Sequence, residues 1–111
     1  MRFFKLDLAA WREGVAMLTL AEQGAYFTIL VEIYRAERPV RYSLAQWGRV
    51  MGCSKARAHE HIETLIAAGK IYRDDLGAIG NDRALAELKA VETSKLIKAT
   101  ARSLRLPFRR H

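Results

Sequence analysis

One cysteine, Cys53, occurs in 111 residues, so no internal disulfide can form, and a reducing compartment fits that scarcity. Proline is also scarce: only Pro39 and Pro107 interrupt a chain that is otherwise free to be helical. No apolar run approaches the ~18 residues a membrane span would need. The opening stretch MRFFKLDLAAWREG has Asp7 and Glu13 where a signal peptide requires an unbroken apolar segment, which implies a cytoplasmic protein. There is no internal repeat and no low-complexity linker. Glycine-rich phosphate loops, metal-ligand clusters and nucleophile–base motifs are missing as well. His59 and His61 project about 200° apart on a helix and cannot share a metal. Asp74 and Asp75 fall in a turn with no pocket implied. A non-enzymatic protein without cofactor or metal is therefore expected.

Acid is absent from the C-terminal end. Residues 1–94 carry 13 Lys/Arg against 12 Asp/Glu, whereas residues 95–111 carry six cations and no acid. Nearly all of the net charge of +7 thus sits on the last segment. A basic end on a near-neutral body favours an anionic partner or serves as a solubilising tail. Half of the residues are hydrophobic, enough for one domain with a real core. These totals divide the chain into a domain over residues 1–94 and a basic helical extension over residues 95–111.

MRFFKLDL reads as a short strand or an extended arm. AAWREGVAML, with Gly14, is one helical turn or a loop. The run TLAEQGAYFTILVEIYRAERP is a helix: Thr19 and Glu22 have the spacing of a capping box, and Pro39 follows its end. Leu20, Phe27, Leu30, Val31 and Tyr34 share one side, with Tyr26, Ile29 and Ile33 beside them. So wide an apolar arc marks a central, largely buried helix, with Gln23, Glu32 and Arg35 on the remaining margin.

VRYS is a strand or connector. Ser43 is placed to cap LAQWGRVMG, whose Leu44, Trp47, Val50 and Met51 recur at helical spacing. Gly52 ends that helix in a left-handed conformation, and Ser54 caps the next. Small Gly48 allows the second helix to approach. KARAHEHIETLIAA turns Ala58, Ile62, Leu65 and Ile66 inward and stops at Gly69. A hairpin follows, with strands over residues 70–73 and 78–80. The last helix is capped by Asn81 or Asp82, and Pro107 forbids its simple continuation. Trp11 and Trp47 are core residues rather than stacking platforms, and Cys53 is a small buried hydrophobe.

Helix, short turn, helix, glycine and hairpin, in that order, predict a mainly α fold with a small β-hairpin: a winged helix-turn-helix with an extra C-terminal helix. The early exposed face of the second helix would carry Lys55, Arg57 and His59 towards a DNA major groove, where Arg can grip guanine with two prongs. Arg49, Lys70 and Arg73 would reach phosphates. Lys95, Lys98, Arg102 and Arg105, spaced 3, 4 and 3, form a basic stripe whose phosphate contacts would be salt-dependent. Two acids at the hairpin turn argue against deep minor-groove insertion. Winged helices also serve as protein-interaction modules, so a replisome adaptor or an inhibitor of a host or phage-defence complex is the rival reading. Leu85, Leu88 and Val91 leave a dimer among the options. The stripe's apolar face has no Trp or Phe to anchor it in a membrane.

The block Leu18, Thr19, Glu22, Gly24, Ala25 and Tyr26, continuing through HIETLIAAGKI to NDRALAEL, resembles the prophage-associated YdaU-like family of unknown function. The likeness covers about residues 1–90. It implies a winged-helix module at the front of phage replication or regulatory proteins, with DNA as the expected partner. The stretch RAERPVRYS departs from the family pattern, in which a glycine-bearing turn is usual.

Overall fold

A computed structural model of the chain describes the backbone of residues 6–109 and the side chains of residues 6–101. The described residues form five helices and one small antiparallel sheet: α1 (Leu8–Gly14), α2 (Leu20–Ala36), α3 (Leu44–Met51), α4 (Lys55–Ala67), β1 (Tyr72–Arg73), β2 (Ile79–Gly80) and α5 (Asp82–Arg109).

The helix starts follow from short polar side chains that satisfy free N–H groups. Thr19 Oγ1 accepts from Glu22 N at 3.2 Å while Glu22 Oε1 accepts from Thr19 N at 2.8 Å, completing the capping box. Ser43 and Ser54 cap α3 and α4 in the same way, each at 3.1 Å. Asn81, not Asp82, caps α5: its Oδ1 accepts from Ala84 N at 2.8 Å. Asn81 is buried and also donates to the Lys70 carbonyl at 2.8 Å, so one side chain ties the end of the α4 turn to the start of α5.

Gly52 adopts φ 74° and turns the chain out of α3, as expected. Gly48 is the point of closest approach between α3 and α4. A Cβ there would lie 2.7 Å from the Cys53 carbonyl oxygen, a backbone atom that has little room to yield. Glu37 ends α2 at φ 59° and is the only non-glycine residue with positive φ among the described residues. It falls within RAERPVRYS, so a residue with a side chain takes up the left-handed conformation that glycine favours.

The core gathers around α2. Ile29 and Ile33 of α2, Trp47 of α3, and Ala58, Ile62 and Leu65 of α4 are 0–2% exposed. β1 and β2 pair with Tyr72 opposite Gly80 and Arg73 opposite Ile79. Val40 adds a bridge on the other side of Ile79, exchanging two backbone hydrogen bonds of 2.8 Å. VRYS is thus a connector with one strand-like residue. At the hairpin turn Asp74 accepts from Leu76 N and Ala78 N at 2.9 Å each, so this acid shapes the turn.

Several expectations need correction. Leu8 begins a two-turn helix instead of ending an extended arm, because Asp7 accepts from Ala10 N and caps it. Phe3 and Phe4 lie outside the described residues. Leu20 is 84% exposed and Phe27 is 39% exposed, since α1 covers only part of that side of α2. Glu32 is buried, not marginal: its carboxylate accepts from the Tyr42 hydroxyl at 2.8 Å and faces Arg35 at 3.5 Å. Leu44 and Val50 remain partly exposed at the rim of α3, and Cys53 is half-buried. Finally, α5 continues past Pro107 to Arg109. Proline removes one N–H donor there, a loss confined to the last turn of a 28-residue helix.

α5 is continuous across residues 94 and 95. Its first turns pack on α2 through buried Ala84 and half-buried Leu88. Beyond Val91 every residue through Thr100 is exposed. The radius of gyration is 18.0 Å, against about 13 Å for a compact chain of this length, because the helix projects as an arm.

Candidate nucleic-acid interface

The N-terminal half of α4 faces outward. Lys55, Ala56, Arg57, His59 and Glu60 are exposed, whereas Ala58, Ile62 and Leu65 on the opposite side are fully enclosed. The inward residues fix the rotation of α4, and so decide which side chains meet solvent. Arg49, on the last turn of α3, is exposed beside this face. Arg73 is exposed on β1, and Lys70 is half-buried at the turn leading into it, where its carbonyl is held by Asn81.

Two guanidinium groups of this face are paired with acids. Arg57 Nη1 donates to Glu60 Oε2 at 3.1 Å. Arg73 Nη2 donates to Glu63 Oε1 at 2.6 Å, and His59 Nδ1 lies 4.0 Å from the same oxygen. The hydrogen bond from Arg73 holds the Glu63 carboxyl below the usual carboxylate range, against a smaller desolvation effect in the other direction. Arg73 is thereby locked against α4. Lys55 has no acid partner among the described residues. Between α3, α4 and the hairpin lies an open groove of about 310 Å³ with Tyr42 and Trp47 at one wall and His59, Glu63 and Arg73 at the other.

On the arm, Lys95 and Lys98 are exposed, one turn apart. The side chains of Arg102 and Arg105 lie outside the described residues, but the helix that carries them continues through both positions. The arm and the α4 face are separate surfaces joined only through the body. Among the described residues no group of His, Cys, Asp or Glu is arranged to hold a metal, and no helix is long and apolar enough to cross a membrane.

Sequence reasoning placed the exposed cations of α4 on one face but missed what holds two of them. Glu60 sits three residues from Arg57 on the same helix, a pairing its spacing could have revealed. Glu63 meets Arg73 only because the hairpin folds back on α4.

Residues 2–89 match the family described as "Protein of unknown function (DUF1376)". The chain belongs to that family. No curated protein and no solved structure shows significant similarity to it. Membership of an uncharacterised DUF1376 family agrees with the resemblance at that level, and the matched segment contains α1 to β2 and the start of α5.

Proposed function

We propose that this DUF1376 chain is a non-enzymatic, phage-derived winged helix-turn-helix protein that binds double-stranded DNA in replication or transcription. In this reading α3 and α4 are the helix-turn-helix, and the β1–β2 hairpin, extended by the Val40 bridge, is the wing. α4 enters the major groove with Lys55, Arg57 and His59. Arg49, Lys70, Arg73 and the arm residues Lys95, Lys98, Arg102 and Arg105 serve phosphates.

One observation carries the reading. α4 is anchored by three fully enclosed apolar residues while its opposite, N-terminal face offers exposed Lys55, Arg57 and His59. A helix of 13 residues is about 20 Å long, and the B-DNA major groove, about 12 Å wide, admits its exposed turns. The acid partners impose order: Arg57 must leave Glu60, or use its remaining donors, to grip a base.

Reversing charge in Lys55→Glu and Arg57→Glu together should weaken duplex binding by tenfold or more, read by fluorescence anisotropy. Unchanged affinity would refute the groove assignment. The protein-interaction reading is favoured by Leu76, 71% exposed at the hairpin tip beside exposed Asp75. A stoichiometric protein recovered from nuclease-treated host lysate, together with no duplex affinity, would favour it instead.

A further inference from the structure

The half of α5 that leaves the body exposes apolar side chains, with Leu96 67% exposed. An isolated helix of this kind gains no packing energy to hold it, so a covering partner would stabilise it. The first half of the same helix borders a groove of about 370 Å³ against the C-terminal end of α2, floored by Pro39, Leu85 and Leu88. Lys89 and Glu92 stand on its rim, and neither has an ion-pair partner among the described residues.

Leu85, Lys89, Glu92 and Leu96 follow one another at intervals of 4, 3 and 4 residues. At 100° per residue they fall within about 60° of one another, forming a single stripe. The spacing reads the same in both directions, and so does the chemistry, apart from an exchange of Lys for Glu at the centre. A two-fold axis between Ala90 and Val91 therefore sets Leu85 against the Leu96 of a second copy and Lys89 against its Glu92, and each contact occurs twice. A parallel pairing in the same register would set lysine on lysine and glutamate on glutamate. The charge pattern thus selects the antiparallel arrangement.

We infer that the chain forms a two-fold homodimer through antiparallel packing of α5 on the α5 of a second copy. The partner's Leu96 settles over Leu85 in the groove beside Pro39, and two Lys89–Glu92 pairs flank the axis. None of its four residues is a phosphate or base contact in the DNA reading, although Lys95, which is one, lines the same groove.

Sedimentation of the full chain tests it. The unmodified protein should run at twice its 12.6 kDa mass. Lys89→Glu and Glu92→Lys, each alone, place like charges across the axis twice and should raise the dimer dissociation constant about tenfold. The double exchange Lys89→Glu/Glu92→Lys restores both pairs and should restore the dimer. Leu96→Asp alters a side chain already in solvent, so the monomer keeps its fold and the dimer is lost. A protein that stays monomeric at its highest soluble concentration overturns the proposal. A dimer indifferent to the single exchanges, or one that the double exchange fails to rescue, overturns it equally.

Discussion

The α4 face and the α5 arm both present cations, but under opposite conditions. On the α4 face, Arg57 of α4 and Arg73 of β1 are each tied to a carboxylate, and α4 is anchored by enclosed apolar residues. On the arm, Lys95 and Lys98 stand on a helix that touches little. The first surface has defined geometry, and Glu60 and Glu63 offset part of its positive charge. The second carries Lys95 and Lys98 on exposed turns of α5. If the chain binds DNA as proposed, shape-dependent recognition falls to the first and salt-sensitive attraction to the second.

Lys95→Glu with Lys98→Glu should produce the largest effect. Each phosphate contact contributes about 0.9 to the slope of log affinity against log salt, so removing two should flatten it by about 2. Anisotropy titrations across a salt series measure this, and an unchanged slope would mean that the arm plays no part.

Gly48→Ala strikes the other surface. The added methyl meets the Cys53 carbonyl and forces α3 from α4. A loss of about 1–3 kcal/mol in urea denaturation is expected, even though alanine is the better helix former. Equal or greater stability would show that the close approach is not constrained. Gly24 offers the contrast: nothing lies within 4 Å of a Cβ placed there, on the exposed side of α2. Gly24→Ala should stabilise by about 0.5–1 kcal/mol in the same assay.

Glu63→Gln should have a smaller effect on stability, within about 1 kcal/mol, because the pair with Arg73 is exposed. It frees one cation on the α4 face, so duplex affinity should rise a few-fold; a fall would show that Glu63 positions Arg73 for binding. The sign with pH follows. The folded Glu63 carboxyl titrates below its unfolded value, so its contribution is present at neutral pH and fades as pH falls through the folded value. The four tyrosines lie the other way. Burial raises Tyr26, Tyr34 and Tyr72, and the hydrogen bond to Glu32 raises Tyr42. Their contribution is full below about pH 10 and is lost as pH rises beyond it, which denaturation at pH 8 and pH 10.5 would show.

Much of this architecture is written locally. Thr19 with Glu22, Ser43, Gly52 and Ser54 mark helix ends through contacts spanning four residues or fewer, and the structure uses all of them. Gly48 was legible because a short turn after it brings the second helix close. Long-range polar contacts were not legible. Glu32 looked like a surface residue because Tyr42, which satisfies it, arrives from the far side of the α2–α3 turn. Tyr34 likewise donates to Glu87, 53 residues away, at 2.5 Å. Asn81 read as a cap, but its hold on the Lys70 carbonyl depends on the hairpin having formed. Periodicity could place Lys55, Arg57 and His59 on one face, yet it could not show that Glu63 would compete for Arg73.

The most direct measurement is the affinity of the intact chain for random-sequence duplex DNA at 50 mM and 200 mM salt. With several phosphate contacts shared between α4 and the arm, binding should be evident at the lower salt and weaken by a hundredfold or more at the higher. No binding at 50 mM, or binding of equal strength at both, would contradict the assignment of these surfaces to DNA.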